Sequence, residues 1–288
     1  MKSRSKKSTS ENSAQVNSTN TQTATSNSPT RATPRSIFVS GGATGIGKAV
    51  AKKFLDAGWV VGAYDIDNDR LQQFQAESPQ LITGHLDVTD AEQWDEALAH
   101  FTAHTDGTLT VLDNNAGVIG FGDITEQDPD LIAAQVNINC TGVTLGARAA
   151  HQYLKKTPGA HLVNMGSASS IYGQPHISPY SASKFYVQGF SQALELEWEK
   201  DDIRVVNIMP LWAKTKLSSG DAESIKRLGV NLTPEQVADK IWHAVHPANR
   251  LTRHRIMYSV GLPSLLMRYA ARCAPSIVVR FINKLIAQ

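Results

Sequence analysis

A phenol and an ammonium stand four residues apart in Tyr180-Ser181-Ala182-Ser183-Lys184, in a run otherwise made of small residues. On a helix, positions i and i+4 share one face, about 6 Å apart along the axis. The following FYVQGFSQALELEWEK continues a helical pattern with one wide apolar face. A cation beside a phenol favours the phenolate and lowers a pKa that starts near ~10. Such a pair could exchange protons at neutral pH. Taken alone, it equally fits an exposed Lys and a half-buried Tyr on any amphipathic helix.

A second cluster stands far upstream. SIFVS (36–40) runs directly into Ser40-Gly41-Gly42-Ala43-Thr44-Gly45-Ile46-Gly47 and then KAVAKKFLDAG. Glycines between a strand and a helix allow a tight turn and close approach of a pyrophosphate to the helix N-terminus. Asp65 closes the next apolar run, eighteen residues beyond Gly47. A carboxylate there can accept hydrogen bonds from adenosine ribose hydroxyls and would repel a 2′-phosphate. No Arg or Lys lies in the glycine turn and Asp67 follows, so the expected cofactor is NAD rather than NADP. The alternative is that Asp65 only N-caps the next helix, which Asp67 could do as well.

The elements that must position these groups alternate. Apolar, β-branched runs at 36–40, 59–64, 81–86, 109–113, 160–166, 203–209 and 255–260 read as strands. Helical patterns lie between them near 46–57, 67–77, 90–104, 127–155, 179–200 and 233–246. Strands that are apolar throughout, separated by helices, predict a parallel sheet covered on both faces. With right-handed crossovers this is a doubly wound α/β sheet of the Rossmann type, a single catalytic domain over 36–261.

Residues 1–35 are rich in Ser, Thr, Asn and Gln and are expected to form a disordered polar, basic tail. They carry six Lys or Arg against one acid, residues 251–288 carry six against none, and the body between carries sixteen against twenty-five. An acidic body argues against nucleic acid as a partner. The two cysteines, Cys140 and Cys273, build neither a disulfide framework nor a metal-ligand spacing. After MKSRSKK comes a polar stretch rather than an apolar one, and no run of 18 apolar residues occurs. The expectation is a cytoplasmic protein without a secretory signal or membrane span.

Over about residues 36–260 the sequence resembles the short-chain dehydrogenase/reductase (SDR) family. Ser40 through Gly47 is similar to its TGxxxGxG turn, with Ser for the leading Thr, and Asp87-Val88 to its adenine-side acid. Asn114-Asn115-Ala116-Gly117 matches its NNAG, and Asn139 matches its helix asparagine. Ser167, thirteen positions before Tyr180, and the YxxxK of Tyr180 and Lys184 complete the set. The resemblance implies that Ser167 hydrogen-bonds a substrate oxygen and Tyr180 exchanges a proton with it. Lys184 would lower the Tyr pKa and grip the nicotinamide ribose, while Asn139 would hold a water linking Lys184 to solvent. It also implies hydride transfer between NAD(H) and an alcohol or carbonyl, with Ser40, Gly41, Gly45, Ile46, Gly47, Asp65, Asp87, Val88, Asn115, Ala116, Gly117, Pro210 and Thr215 around the cofactor. A homodimer or homotetramer through the helices near 127–155 and 179–200 is implied too. One departure is Pro210-Leu211, where the family has PG before its threonine; Thr215 still stands five past the proline.

Substrate loops are expected at 168–179 and 211–232. Ile171, Tyr172, His176, Leu211, Trp212 and Leu217 suggest an apolar pocket and thus a hydrophobic alcohol or ketone. The segment 262–288 reads as two short amphipathic helices broken by Pro275, with Arg268/Arg272 and Arg280/Lys284 as i, i+4 pairs. Its apolar face could be a lid over the cleft, a subunit contact, or a surface lying peripherally on the inner face of an anionic membrane.

Overall fold

In the computed structural model, seven strands form one parallel sheet in the order β3-β2-β1-β4-β5-β6-β7. They are β1 (Ser36–Ser40), β2 (Val60–Asp65), β3 (Ile82–His85), β4 (Val111–Asn114), β5 (His161–Met165), β6 (Arg204–Pro210) and β7 (Met257–Val260). The structure describes residues 34–215, 217, 225, 227, 229–247, 252 and 254–287. The expected tail up to residue 33 and much of the expected loop after Thr215 lie outside these residues.

Successive residues along each strand feed opposite cores. Ile37 and Val39 enter one with Val61, Val111 and Val163, whereas Phe38 enters the other with Leu112 and Leu162. Helices α1 (Gly45–Asp56), α2 (Asn68–Glu77) and α7 (Pro234–Val245) cover the first face; α3 (Ala91–Thr102), α5 (Val143–Leu154) and α6 (Ser178–Trp198) cover the second. Phe38 stacks on Tyr64 at 4.3 Å and meets the edge of Phe101 at 5.7 Å. Burying one such ring stabilises the fold by about 2–3 kcal/mol.

The strand order reverses between β1 and β4, which leaves a crevice at their carboxyl ends. The glycine turn, Asp65, Asn115 and Ser167 all follow strand ends and are carried to that edge by topology.

Two elements differ from the sequence reading. The helix expected over 127–155 is three pieces: α4 (Pro129–Val136), a π-helical turn (Asn137–Gly142) and α5. A single wide turn inside a helix shifts the hydrogen-bond register and re-aims side chains locally. The fourth strand begins at Val111 rather than Leu109; just before it, the Ser36 N–H donates to the Thr110 hydroxyl (3.1 Å) and the Thr110 N–H to the Ser36 hydroxyl (3.2 Å). The C-terminal segment forms α8 (Leu262–Cys273) and α9 (Ser276–Ala287), separated at Pro275 as expected. Ala274, before that proline, is extended at φ −89°, ψ 141°.

Candidate active site

The two turns at the crevice are tied together. Ser40 Oγ accepts the N–H groups of Asn115 (3.2 Å) and Ala116 (3.3 Å). The Asn115 amide donates back to the carbonyls of Ser40 (3.2 Å) and Gly41 (3.1 Å). Gly41 has φ +66°, which favours glycine, and a Cβ there would lie 2.8 Å from the Ala116 Cα. The α1 N-terminus has no side-chain cap and no acid in its first turn, whereas α2 and α3 start on the carboxylates of Asp67 and Asp90. Its N–H groups therefore keep their capacity for an anion.

Asp65 does not cap α2. One carboxylate oxygen accepts the Ala43 N–H (3.1 Å) and the other the Asp67 N–H (3.1 Å), while Asp67 itself caps the helix by accepting the Arg70 N–H (3.1 Å). Asp65 is thus held at the rim of the crevice.

A single cleft of about 890 Å³ joins this turn to the second cluster. Gly41, Gly45, Ile46, Asp65, Asp87, Val88, Asn115, Ala116, Gly117, Ser167, Tyr180, Lys184, Pro210 and Thr215 all line it. Ser40 and Gly47 lie behind the wall, Ser40 as the tie just described and Gly47 against the Gly41 carbonyl. An anion-ready helix start, a carboxylate at the rim and a glycine wall make a cradle that fits a dinucleotide. Its size falls in the range of roughly 300–1,000 Å³ of ligand clefts.

Ser167 follows β5, and its Oγ accepts the Ser169 N–H (3.2 Å), which aims it at the crevice. Tyr180 lies in the first turn of α6 and Lys184 one turn on; both are buried. The Lys184 ammonium donates to the Met165 carbonyl (2.8 Å) and stands 5.5 Å from the centre of the Tyr180 ring.

The expected acidic phenol is not what the geometry gives. Burial pushes Tyr180 up to about 12, opposed only in part by a hydrogen bond with Ser167. Burial likewise pushes Lys184 down to about 8, against the opposing pull of Cys140. Lys184 is desolvated together with the phenol, so its charge is itself disfavoured and desolvation outweighs the attraction.

Asn139 occupies the π-helical turn, fully buried. Its amide accepts the Val118 N–H (2.9 Å) and donates to the Val118 carbonyl (2.9 Å) and to Ser183 Oγ (3.1 Å). It clamps the segment after NNAG to α6 beside Lys184, rather than presenting a side chain to the cleft.

Of the expected substrate residues, Leu211, Trp212 and Leu217 line the cleft, but Ile171, Tyr172 and His176 do not. The loop turns Tyr172 toward α8, where its hydroxyl donates to the Met267 carbonyl (3.4 Å), and His176 is exposed with φ +62°. Val118, Ile138, Met165 and Gln174 join the wall instead. Val118 directly follows NNAG, and Met165 ends a strand two residues before Ser167, so both were within reach of the motif reading.

The model of the short chain dehydrogenase family matches residues 35–225. The chain belongs to the short-chain dehydrogenase family. It is therefore an oxidoreductase acting on CH–OH groups and the carbonyls they form. Among relatives of this family, the chain is 32% identical over 202 residues to a 3-alpha-(or 20-beta)-hydroxysteroid dehydrogenase of Mycobacterium bovis, covering 69% of this chain and 77% of that one. It is 30% identical over 186 residues to a 2,5-dichloro-2,5-cyclohexadiene-1,4-diol dehydrogenase of Sphingobium indicum, covering 63% and 74%. A 3-ketoacyl-(acyl-carrier-protein) reductase from Brucella melitensis, solved with NADH, shares the fold at TM-score 0.72 and 22% identity, covering 78% and 96% of the two chains.

Proposed function

We propose that this dehydrogenase interconverts a hydrophobic secondary alcohol and its ketone with NAD(H), most often in the oxidising direction. The observation that carries the reading is that Ser167, Tyr180 and Lys184 open into the same cleft as the glycine turn and Asp65. The nicotinamide supplies the hydride acceptor or donor when bound. Ser167 Oγ holds the substrate oxygen by a hydrogen bond, and Tyr180 Oη takes up or returns the proton on that oxygen. Lys184, anchored on Met165, holds the cofactor ribose and carries positive charge toward the phenol. Asn139 keeps the π turn and the Val118 segment in place and supports proton exit past Lys184. Because the phenol is buried, proton transfer to it is matched to a substrate oxygen that is itself desolvated.

Asp65, fixed by two N–H donors at the rim, favours ribose hydroxyls over a 2′-phosphate. Asp87 and Val88 take the adenine side, and Pro210 and Thr215 the nicotinamide side. A second reading, an NADPH-linked carbonyl reductase, has one observation in its favour: Lys48 and Arg70 border a shallow depression beside Thr44. Both cations are already paired, Lys48 with Glu77 (2.8 Å) and Arg70 with Asp67 (3.0 Å). An apolar wall of Leu211, Trp212 and Val118 suits a ring alcohol, the substrate type after which both relatives above are named. Leu131, Val136, Phe185, Tyr186 and Leu196 leave apolar surface exposed on α4 and α6, which favours a dimer or tetramer through these helices. Both cysteines are free, in keeping with a reducing cytoplasm.

Titrating the protein with NADH and NADPH while reading nucleotide fluorescence, then screening ring alcohols and ketones, tests this. Tighter NADH binding and turnover of a secondary alcohol are expected. Tight NADPH with feeble NADH binding would select the carbonyl reductase instead.

A further inference from the structure

The two C-terminal helices are mounted the wrong way round for a surface that faces water. On α8, Ser264 is buried and donates to the Met209 carbonyl (3.2 Å), and the Arg268 guanidinium donates to the Met257 carbonyl (3.2 Å). On α9, the Asn283 amide donates to the Gly173 carbonyl (2.7 Å). Ser264, Arg268 and Asn283 therefore face the body of the protein. The outward face of α8 carries Leu262, Leu266, Tyr269 and Cys273, spaced by four, three and four residues. That of α9 carries Ile277, Val278 and Phe281. Leu266 is 59% exposed, Ile277 75% and Phe281 63%. A solvated helix places its apolar stripe against the core; here the stripe points away from it.

Charge indicates what covers this face. Residues 262–288 hold no acid, and of their cations Arg268 turns to the body of the protein. Arg280 and Lys284 are exposed alongside Phe281. A two-fold contact between copies would bring this cationic surface against itself, which like-charge repulsion disfavours. A bilayer containing anionic lipid satisfies both features: acyl chains take the Leu, Ile and Phe side chains, and headgroups meet the cations.

We propose that α8 and α9 form a docking surface for an anionic lipid bilayer. No described helix is long and apolar enough to cross a membrane, so the contact is an interfacial one. The helices also hold the loop that flanks the cleft, through Asn283 to Gly173 and Tyr172 to Met267. Gln174, next in that loop, lines the cleft. Docking thus brings the substrate end of the cleft to the lipid surface, where a hydrophobic alcohol is concentrated.

The test is co-sedimentation of the full chain with vesicles of phosphatidylcholine alone or mixed with phosphatidylglycerol. Binding is expected to the mixed vesicles and to fall with salt. Leu266→Ser with Phe281→Ser should lower partitioning at least tenfold. Arg280→Gln with Lys284→Gln should lower it about twenty-five-fold, at about fivefold per cation near the surface. Unchanged thermal melts would show that these variants remain folded. A protein that stays in the supernatant with both vesicle types overturns the proposal. So does binding that neither variant alters, which would assign the contact to the basic N-terminal residues. A self-association abolished by the Leu266/Phe281 variant without vesicle binding would overturn it in favour of a second copy.

Discussion

Asp113 offers a test of how this sheet was assembled. It stands in β4 between Val39 and Val163 of the neighbouring strands, fully buried, and neither carboxyl oxygen has a hydrogen-bond partner among the described residues. Burial pushes its pKa from the ordinary 3.8 up to about 8. An acid with a raised folded pKa contributes fully below its unfolded pKa, and that contribution is lost as pH rises toward the folded value. Stability should therefore fall between pH 4 and pH 8 through this one group. At about 1.4 kcal/mol per pH unit, the loss is about 2 kcal/mol at pH 5 and about 4 kcal/mol at pH 7, upper limits because neighbours relax. Asp113→Asn keeps the shape and cannot ionise. Urea unfolding at several pH values should show the variant gaining on the parent protein as pH rises through this window. Parallel stability–pH curves for the two proteins would refute the reasoning.

Three further outcomes follow from the site. Gly41→Ala forces a side chain into φ +66° and onto Ala116, so it should cost about 1–3 kcal/mol in a thermal melt and abolish NADH fluorescence enhancement. Asp65→Ser should weaken NADH binding about tenfold and improve NADPH binding, since a charged acceptor is worth about 1.5–3 kcal/mol per hydrogen bond; unchanged preference in fluorescence titrations would remove Asp65 from the specificity argument. Asn139→Ala leaves the partly buried Val118 N–H and carbonyl at the cleft wall without their side-chain partner. It should lower unfolding stability by about 2–4 kcal/mol and reduce turnover more than cofactor affinity.

Much of this was legible in the sequence, for identifiable reasons. Parallel strands covered on both faces are largely apolar on both, so SIFVS and IRVVNIM stand out as strands without a strict polar alternation. The glycine turn and YxxxK could be placed because each lies beside a strong strand or helix signal. What failed depended on tertiary surroundings. The π turn at Asn137–Gly142 has no local breaker except Gly142, and its purpose, clamping Val118, joins residues 21 apart. Charge proximity predicted an acidic Tyr180, but the common burial of Tyr180 and Lys184 reverses the sign. The loop 168–177 turns Tyr172 toward α8 and away from the cleft, a choice made by a contact 95 residues away.

The central claim is that the Tyr180 hydroxyl exchanges the substrate proton. Turnover of a secondary alcohol by Tyr180→Phe, followed at the nicotinamide absorbance alongside NADH titration of the same sample, measures it directly. The variant removes one oxygen from the cleft wall and should bind cofactor as before, with kcat reduced by about 10²–10⁴-fold. Turnover within a few-fold of the parent enzyme, with intact cofactor binding, would contradict the account.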